Sequence, residues 1–220
     1  MPNDITQRIR FSPATATGLF IALFGILIGR QVTNSIWHTL TFEAALWKEG
    51  ITWTLAIFLL IIIRRGERLP LSSVGLGTSS WWKSILWGLA LTVPCLLVAG
   101  FLVHLTGYGH GDASAACEKL PLWLVTLIVI RAGVVEEFFY RGYAIERLQS
   151  LGLGRFWSAI IPLIIFSVAH WTGGWANILI AFVLGLILAL FYLWRRELAA
   201  NMIGHGMVDF IGNVLPRLLG

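Results

Sequence analysis

The chain has 220 residues, 57% of them hydrophobic and only 12% charged, with a mean hydropathy of +0.80. That balance excludes a soluble globular domain of this size, because the surplus apolar surface must face lipid. The net charge of +5 does not point to nucleic acid, since Lys and Arg fall in short clusters between apolar runs and form no stripe along one helix.

A bilayer core about 30 Å thick takes roughly 20 apolar residues per helix. On that measure the sequence reads as an all-α, polytopic transmembrane bundle of about seven spans in a single membrane domain over 1–220. The first span runs near Ala14 to Gly29 behind Arg8 and Arg10, and reads as a retained span because no small-x-small cleavage site follows it. The second runs near Ala44 to Ile63, and the third from Trp81 to about Leu105 with Pro94 as a kink. The fourth runs from Pro121 into the Glu136 region, the fifth from Phe156 to His170, the sixth from Ala176 to Trp194, and the seventh from Leu198 to about Leu215. With seven spans, Arg8 and Arg10, then Arg64, Arg65, Arg68 and Lys83, then Arg141, Arg147 and Arg155, then Arg195 and Arg196 all fall on one side, which places the N-terminus in the cytoplasm. The opposite side holds only Arg30, Lys48, Lys119 and Arg217, and the short loops suit a prokaryotic inner membrane. Tryptophans such as Trp47, Trp81, Trp157 and Trp194 sit near span ends as interfacial anchors. Cys95 and Cys117 have neither metal-ligand nor redox spacing and receive no role.

The fourth segment ends in Val134, Val135, Glu136, Glu137, Phe138, Phe139, Tyr140, Arg141, which sets two carboxylates where one costs several kcal/mol unless it is paired. On an α-helix Glu137 and Arg141 are i and i+4 and can pair, whereas Glu136 points about 100° away and reads as unpaired. Such a free glutamate suits a group that takes and returns a proton. The alternative is a surface ion network past the membrane edge, continued by Glu146 and Arg147. His170 closes the fifth run four residues after Phe166, as a site residue or as an interfacial cap. His205 and Asp209 in the seventh run are again i and i+4, as a site pair or as a satisfied buried hydrogen bond. Three such coincidences in neighbouring apolar segments favour a site.

In this order, Glu-Glu-x-x-x-Arg, Phe-x-x-x-His and His-x-x-x-Asp resemble the signature of the CPBP family of intramembrane proteases, relatives of the CAAX prenyl endopeptidases. The resemblance covers roughly 121–215, which it marks as the catalytic core. The stretch from Ser73 to Trp82, with Gly75, Leu76 and Gly77, is similar to the family's approach to its preceding helix. The resemblance implies that Glu136 activates water, that Glu137 and Arg141 support it, and that His170 and His205 complete the centre. At the position of Asp209 many members of the family that this chain resembles have asparagine and others have aspartate. An ionised aspartate accepts but does not donate, so Asp209 is expected to orient His205 or bind a metal, and Asn213, one turn further on, is the expected oxyanion donor.

Two mechanisms follow. In one, no metal or other cofactor is needed, and Glu136 is the general base while the histidines position water or stabilise the oxyanion. In the other, Zn²⁺ is held by His170, His205 and a carboxylate, Asp209 or Glu136. The resemblance favours the first. The expected partners are membrane lipid and a membrane-embedded, lipidated or membrane-proximal peptide. A non-enzymatic immunity or partner-binding protein of the same fold, or a small proton-coupled transporter, is the competing reading; the intact motif triplet argues against the former and the lack of an inverted repeat against the latter. Glu136 and His170 lie almost symmetrically about Gly152 to Gly154, roughly 25 Å from that turn at 1.5 Å per residue. They meet His205 only if this hairpin projects from the membrane or the fifth helix is broken. The polar run from Arg141 to Arg155 favours projection and a site in the cytoplasmic part of the membrane.

Overall fold

The computed structural model describes residues 11–77, 79–108 and 119–219, so Arg8, Arg10 and Cys117 lie outside the described residues. The fold is all-α, with a helix at each of the seven predicted segments. Helix α1 (Pro13–Ile36) starts where the Ser12 hydroxyl accepts from the Thr15 N–H at 3.1 Å, with proline in the first turn, where its missing N–H costs nothing. Thr41 caps α2 (Phe42–Ile61) in the same way, and a π-helical turn (Ile62–Gly66) extends it. Helix α3 (Trp81–Thr106) continues through Pro94 and stops at Gly107, whose φ of 62° favours glycine.

Helix α4 covers 122–150: an α-helical start (Leu122–Arg131), a long π-helical stretch (Ala132–Ile145) and a last turn (Glu146–Ser150). Twelve of the 14 residues in the π-helical stretch are buried, which makes α4 the central helix. Helix α5 (Arg155–Val168) is short, α6 (Gly174–Arg195) is long, and α7 begins at Leu198–Asp209 and continues through a π-helical turn (Phe210–Val214) into Leu215–Leu219. Small residues let the inner helices touch backbone to backbone. A Cβ on Gly133 of α4 would lie 2.8 Å from both Gly206 Cα and Met202 O of α7.

Four helices among the described residues are long and apolar enough to cross a membrane: Pro13–Ile36, Phe42–Gly66, Trp81–Thr106 and Trp171–Arg195. Their outward side chains, among them Phe20, Phe58, Leu97, Phe101 and Leu190, are exposed and apolar, as a lipid-facing surface requires. Of the seven predicted spans, the other three do not meet that measure. Helix α5 is only 14 residues long, and α4 carries Arg131, Glu136, Glu137 and Arg141 inward.

Of the basic residues predicted for one side, Arg147, Arg155 and Arg196 make contacts at one end of the bundle, whereas Arg141 is buried beside Gly185 in the middle of α6. Arg147 pairs with Glu67 at 2.8 Å and donates to the Ser73 carbonyl and hydroxyl, Arg196 pairs with Glu146, and Arg155 donates to the Leu193 carbonyl. Glu146 and Arg147 therefore do not continue an ion network from Glu137. Each has its own partner on the 62–77 segment or at the end of α6.

Candidate active site

Helix α4 supplies the carboxylates, the end of α5 supplies Phe166 and His170, and α7 supplies His205 and Asp209. Glu137 has no exposed surface and both of its oxygens are engaged. Oε1 accepts from Arg141 Nη1 at 2.7 Å, the predicted i,i+4 pair, and from His205 Nδ1 at 2.9 Å. Oε2 accepts from Asn201 Nδ2 at 3.2 Å, and the same amide nitrogen donates to the Leu188 carbonyl at 2.9 Å. Arg141 also donates to the Gly185 carbonyl at 3.1 Å and lays its guanidinium over the Phe166 ring at 4.5 Å. Buried charges of opposite sign with this many hydrogen bonds form a rigid unit.

The expectation that Glu136 is unpaired is corrected. Its Oε1 accepts from Arg131 Nη1, and Arg131 Nε donates to Glu49 Oε1 of α2 at 3.1 Å. The cause is the winding of α4, since a π-helix closes i→i+5 bonds, so residue 131 reaches the residue five positions on. Arg30 of α1 also acts electrostatically on Glu136, so two arginines balance the two glutamates. Glu136 Oε2 has no protein hydrogen bond among the described residues, and the carboxylate acts electrostatically on both His205 and His170. The two adjacent glutamates thus differ in accessibility, Glu136 being 13% exposed and Glu137 closed off, but not in whether each has a counter-ion.

His170 Nδ1 lies 2.8 Å from the Phe166 carbonyl, which can only accept, so Nδ1 carries the proton and Nε2 is the open acceptor of the neutral ring. Its loop is tied down on two sides. Arg30 donates to the Ala169 carbonyl at 2.5 Å and to Thr172 Oγ1 at 2.6 Å, and Asn177 Nδ2 donates to the His170 carbonyl at 3.1 Å. His205 gives its Nδ1 proton to Glu137 and turns Nε2 toward Asp209 Oδ2 at 3.6 Å. Phe166 holds both rings, with centroids 4.8 Å from His170 and 6.2 Å from His205.

Phe166, His170, His205 and Asp209 line a cavity of about 130 Å³, and Glu136 and Glu137 are not among its lining residues. His170, Asn177, His205 and Asp209 form its polar wall, while Cys95, Ile180, Leu184 and Leu188 form an apolar one. Asn213 does not reach it. The Asn213 side chain is exposed and donates back to the Asp209 carbonyl at 2.9 Å, because α7 changes to π-helical winding at Phe210 and turns the next residues away from the face that carries Asp209.

Convergence is achieved by a short α5, which ends at Val168 instead of running the full span beside α6. Asn177 lies in the first turn of α6, roughly 27 Å along the axis from Arg195, and Gly185 roughly 15 Å from it. The polar set therefore extends from the middle of α6 toward the end opposite Arg195. Among the described residues no group of three or more His, Cys, Asp or Glu side chains is arranged to hold a metal ion. Glu136 is held by Arg131 and both His205 nitrogens face carboxylates, so the four named side chains do not form a zinc ligand set as placed.

Arg30, Glu49, Arg131, Asn177 and Asn201 were not singled out in the sequence. For Glu49 and Arg131 a signal existed, a charge inside an apolar run; for Asn177 the only signal is a polar residue near a span end. No curated protein and no solved structure matches the chain. Residues 118–211 match the family described as type II CAAX prenyl endopeptidase Rce1-like, a stretch that contains Glu136, Glu137, Arg141, Phe166, His170, His205 and Asp209 but not Arg30 or Glu49. Over those residues, which are under half of the chain, this membrane-type helical bundle is similar to the type II CAAX prenyl endopeptidase Rce1-like family.

Proposed function

We propose that the protein is an endopeptidase that hydrolyses peptide bonds of membrane-embedded, lipidated or membrane-proximal substrates, with Glu136 activating water and no metal required. The observation that carries this reading is the contrast between the two adjacent carboxylates. Both Glu137 oxygens are engaged, whereas Glu136 Oε2 has no protein hydrogen bond among the described residues and the carboxylate acts electrostatically on both histidines. A water molecule there gives one hydrogen to Glu136 and one to the bare Nε2 of His170, which aims its lone pair at a carbonyl in the cavity. The water oxygen bonds to the carbonyl carbon as the C=O π pair moves onto oxygen and Glu136 takes a proton. The C–N bond then breaks as that proton passes to the leaving nitrogen, giving a carboxylic acid and an amine. Glu137 and Arg141 hold α4 and His205 in register, and Asp209 orients His205. The apolar wall and the lipid-facing outer helices suit an apolar peptide segment or its lipid.

In this reading the catalytic core is 121–215 within one membrane domain over 1–220, set in a prokaryotic inner membrane with its N-terminus in the cytoplasm. The test is cleavage of a membrane peptide in bilayer discs by wild type, Glu136→Gln and Glu137→Gln. Glu136→Gln should lower kcat by about 10²–10⁴-fold, the usual contribution of a general base, while the protein stays folded. Glu137→Gln should lower the thermal midpoint. Robust cleavage by Glu136→Gln overturns the assignment. Stoichiometric zinc in the active protein, with activity lost on chelation, overturns the metal-free mechanism.

A further inference from the structure

The tetrahedral step above leaves a negative charge on the former carbonyl oxygen, and in a cavity this apolar that charge needs a hydrogen-bond donor. The candidates are the polar side chains of the cavity wall, and hydrogen-bond accounting separates them. His170 uses its Nδ1 proton on the Phe166 carbonyl, so its open edge in the neutral ring is a lone pair. His205 gives Nδ1–H to Glu137 and directs Nε2 at the Asp209 carboxylate. Asp209, paired with that ring, offers only acceptors. Asn177 differs. Its amide nitrogen carries two hydrogens and donates one of them to the His170 carbonyl at 3.1 Å, which leaves the second on the side chain that lines the cavity.

The amide is also fixed in place before any substrate arrives. A Cβ built on Gly173 would lie 2.3 Å from Asn177 Nδ2 and 2.7 Å from Asn177 Cβ, so the amide is folded against the bare Gly173 Cα at the start of α6. The His170 carbonyl holds its other end, on the loop that Arg30 clamps through Ala169 and Thr172. A donor held rigidly in the wall that also carries His170 and His205 is what oxyanion stabilisation requires, because a preorganised dipole needs no reorganisation as charge develops.

We propose that the side-chain amide of Asn177 is the oxyanion donor of this site, giving its second N–H to the carbonyl oxygen as the water adds. The inference rests on the peptidase reading and assigns one more catalytic residue to it. As the carbon–oxygen bond to water forms, the carbonyl electron pair moves onto the oxygen that faces Asn177, and it returns when the C–N bond breaks, so the amide stabilises the intermediate without being consumed.

The experiment uses the full chain in bilayer discs with a membrane peptide cleaved by wild type. Asn177→Asp keeps the shape and loses the donor, Asn177→Ala removes the group, and Gly173→Ala leaves Asn177 intact but pushes its amide aside. All three should lower kcat, the first two by about 10²–10³-fold, the cost of removing one oxyanion donor, with KM changed less than about threefold. A phosphinate peptide, whose tetrahedral anion imitates the intermediate, should lose affinity by the same factor while the uncleaved substrate does not. Asp209→Asn adds an amide donor elsewhere on the polar wall and should recover part of the loss in Asn177→Ala. The proposal is overturned if Asn177→Asp cleaves with a kcat within threefold of wild type, or if its loss lies in KM or thermal stability alone. Those results leave the peptidase reading standing when Glu136→Gln is inactive; an active Glu136→Gln sinks the base assignment instead.

Discussion

Replacing Arg141 tests the polar unit beneath the candidate site directly. Its guanidinium is buried, donates to Glu137 at 2.7 Å and to the Gly185 carbonyl at 3.1 Å, and rests on Phe166 at 4.5 Å. In Arg141→Ala the Glu137 carboxylate keeps only His205 and Asn201, and the Gly185 carbonyl loses its donor. Breaking one side of a buried ion pair costs about 3–5 kcal/mol. For a chain of this size each kcal/mol moves the midpoint by about 2–4 °C, so the thermal midpoint should fall by roughly 6–20 °C. Arg141→Lys keeps the charge but not the fork or the ring contact, and should lose a smaller amount, about 1–3 kcal/mol. The assay is thermal unfolding in detergent followed by reaction of a thiol dye with the buried thiol of Cys95, which is free. An Arg141→Ala midpoint within 1–2 °C of wild type would refute the claim that this pair holds α4, α5 and α6 together, as would a lysine variant no better than alanine.

Phe166→Ala removes the ring that separates and orients the two histidines, and should cost about 3–5 kcal/mol in the same unfolding assay while lowering kcat. Gly133→Ala forces α4 away from the Gly206 backbone, and even about 1 Å of displacement between Glu136 and His205 should reduce kcat by about 10²-fold, with wild-type rates as the refuting result. Arg147→Ala leaves Glu67 buried without its counter-ion at the far end of the bundle. It should lower the midpoint by as much as Arg141→Ala does, yet leave kcat per folded molecule unchanged; an equal loss of kcat would show that the two ends are coupled.

The helices were legible because each lies on a largely apolar run, four of them of spanning length, and Ser12 and Thr41 mark two of the starts. The pairs Glu137–Arg141 and His205–Asp209 were legible because partners four residues apart share a helix face. Glu136 and Asn213 were misplaced for one shared reason, since both were positioned by α-helical geometry and both sit where the chain winds as a π-helix. That winding brings Arg131 over Glu136 and turns Asn213 outward, and nothing in the residue types of 132–145 announces it. Glu49 and Arg131 are 82 positions apart, and Arg30 and Ala169 are 139. A charge in an apolar run says that a partner exists, but spacing along the chain does not say which one.

Helices α1 and α2 carry no family signature, yet each closes a contact inside the 118–211 segment, Glu49 on Arg131 and Arg30 on the carbonyl of Ala169. A chimera that joins this segment to an N-terminal helix pair of other origin would leave Arg131 with one carboxylate where it has two, and the loop bearing His170 without its clamp. The front of the chain is thus a fitted part of the candidate site and not an exchangeable anchor. Donor sequences for such a graft can be chosen by one criterion, an acid at the position of Glu49 together with a guanidinium at that of Arg30.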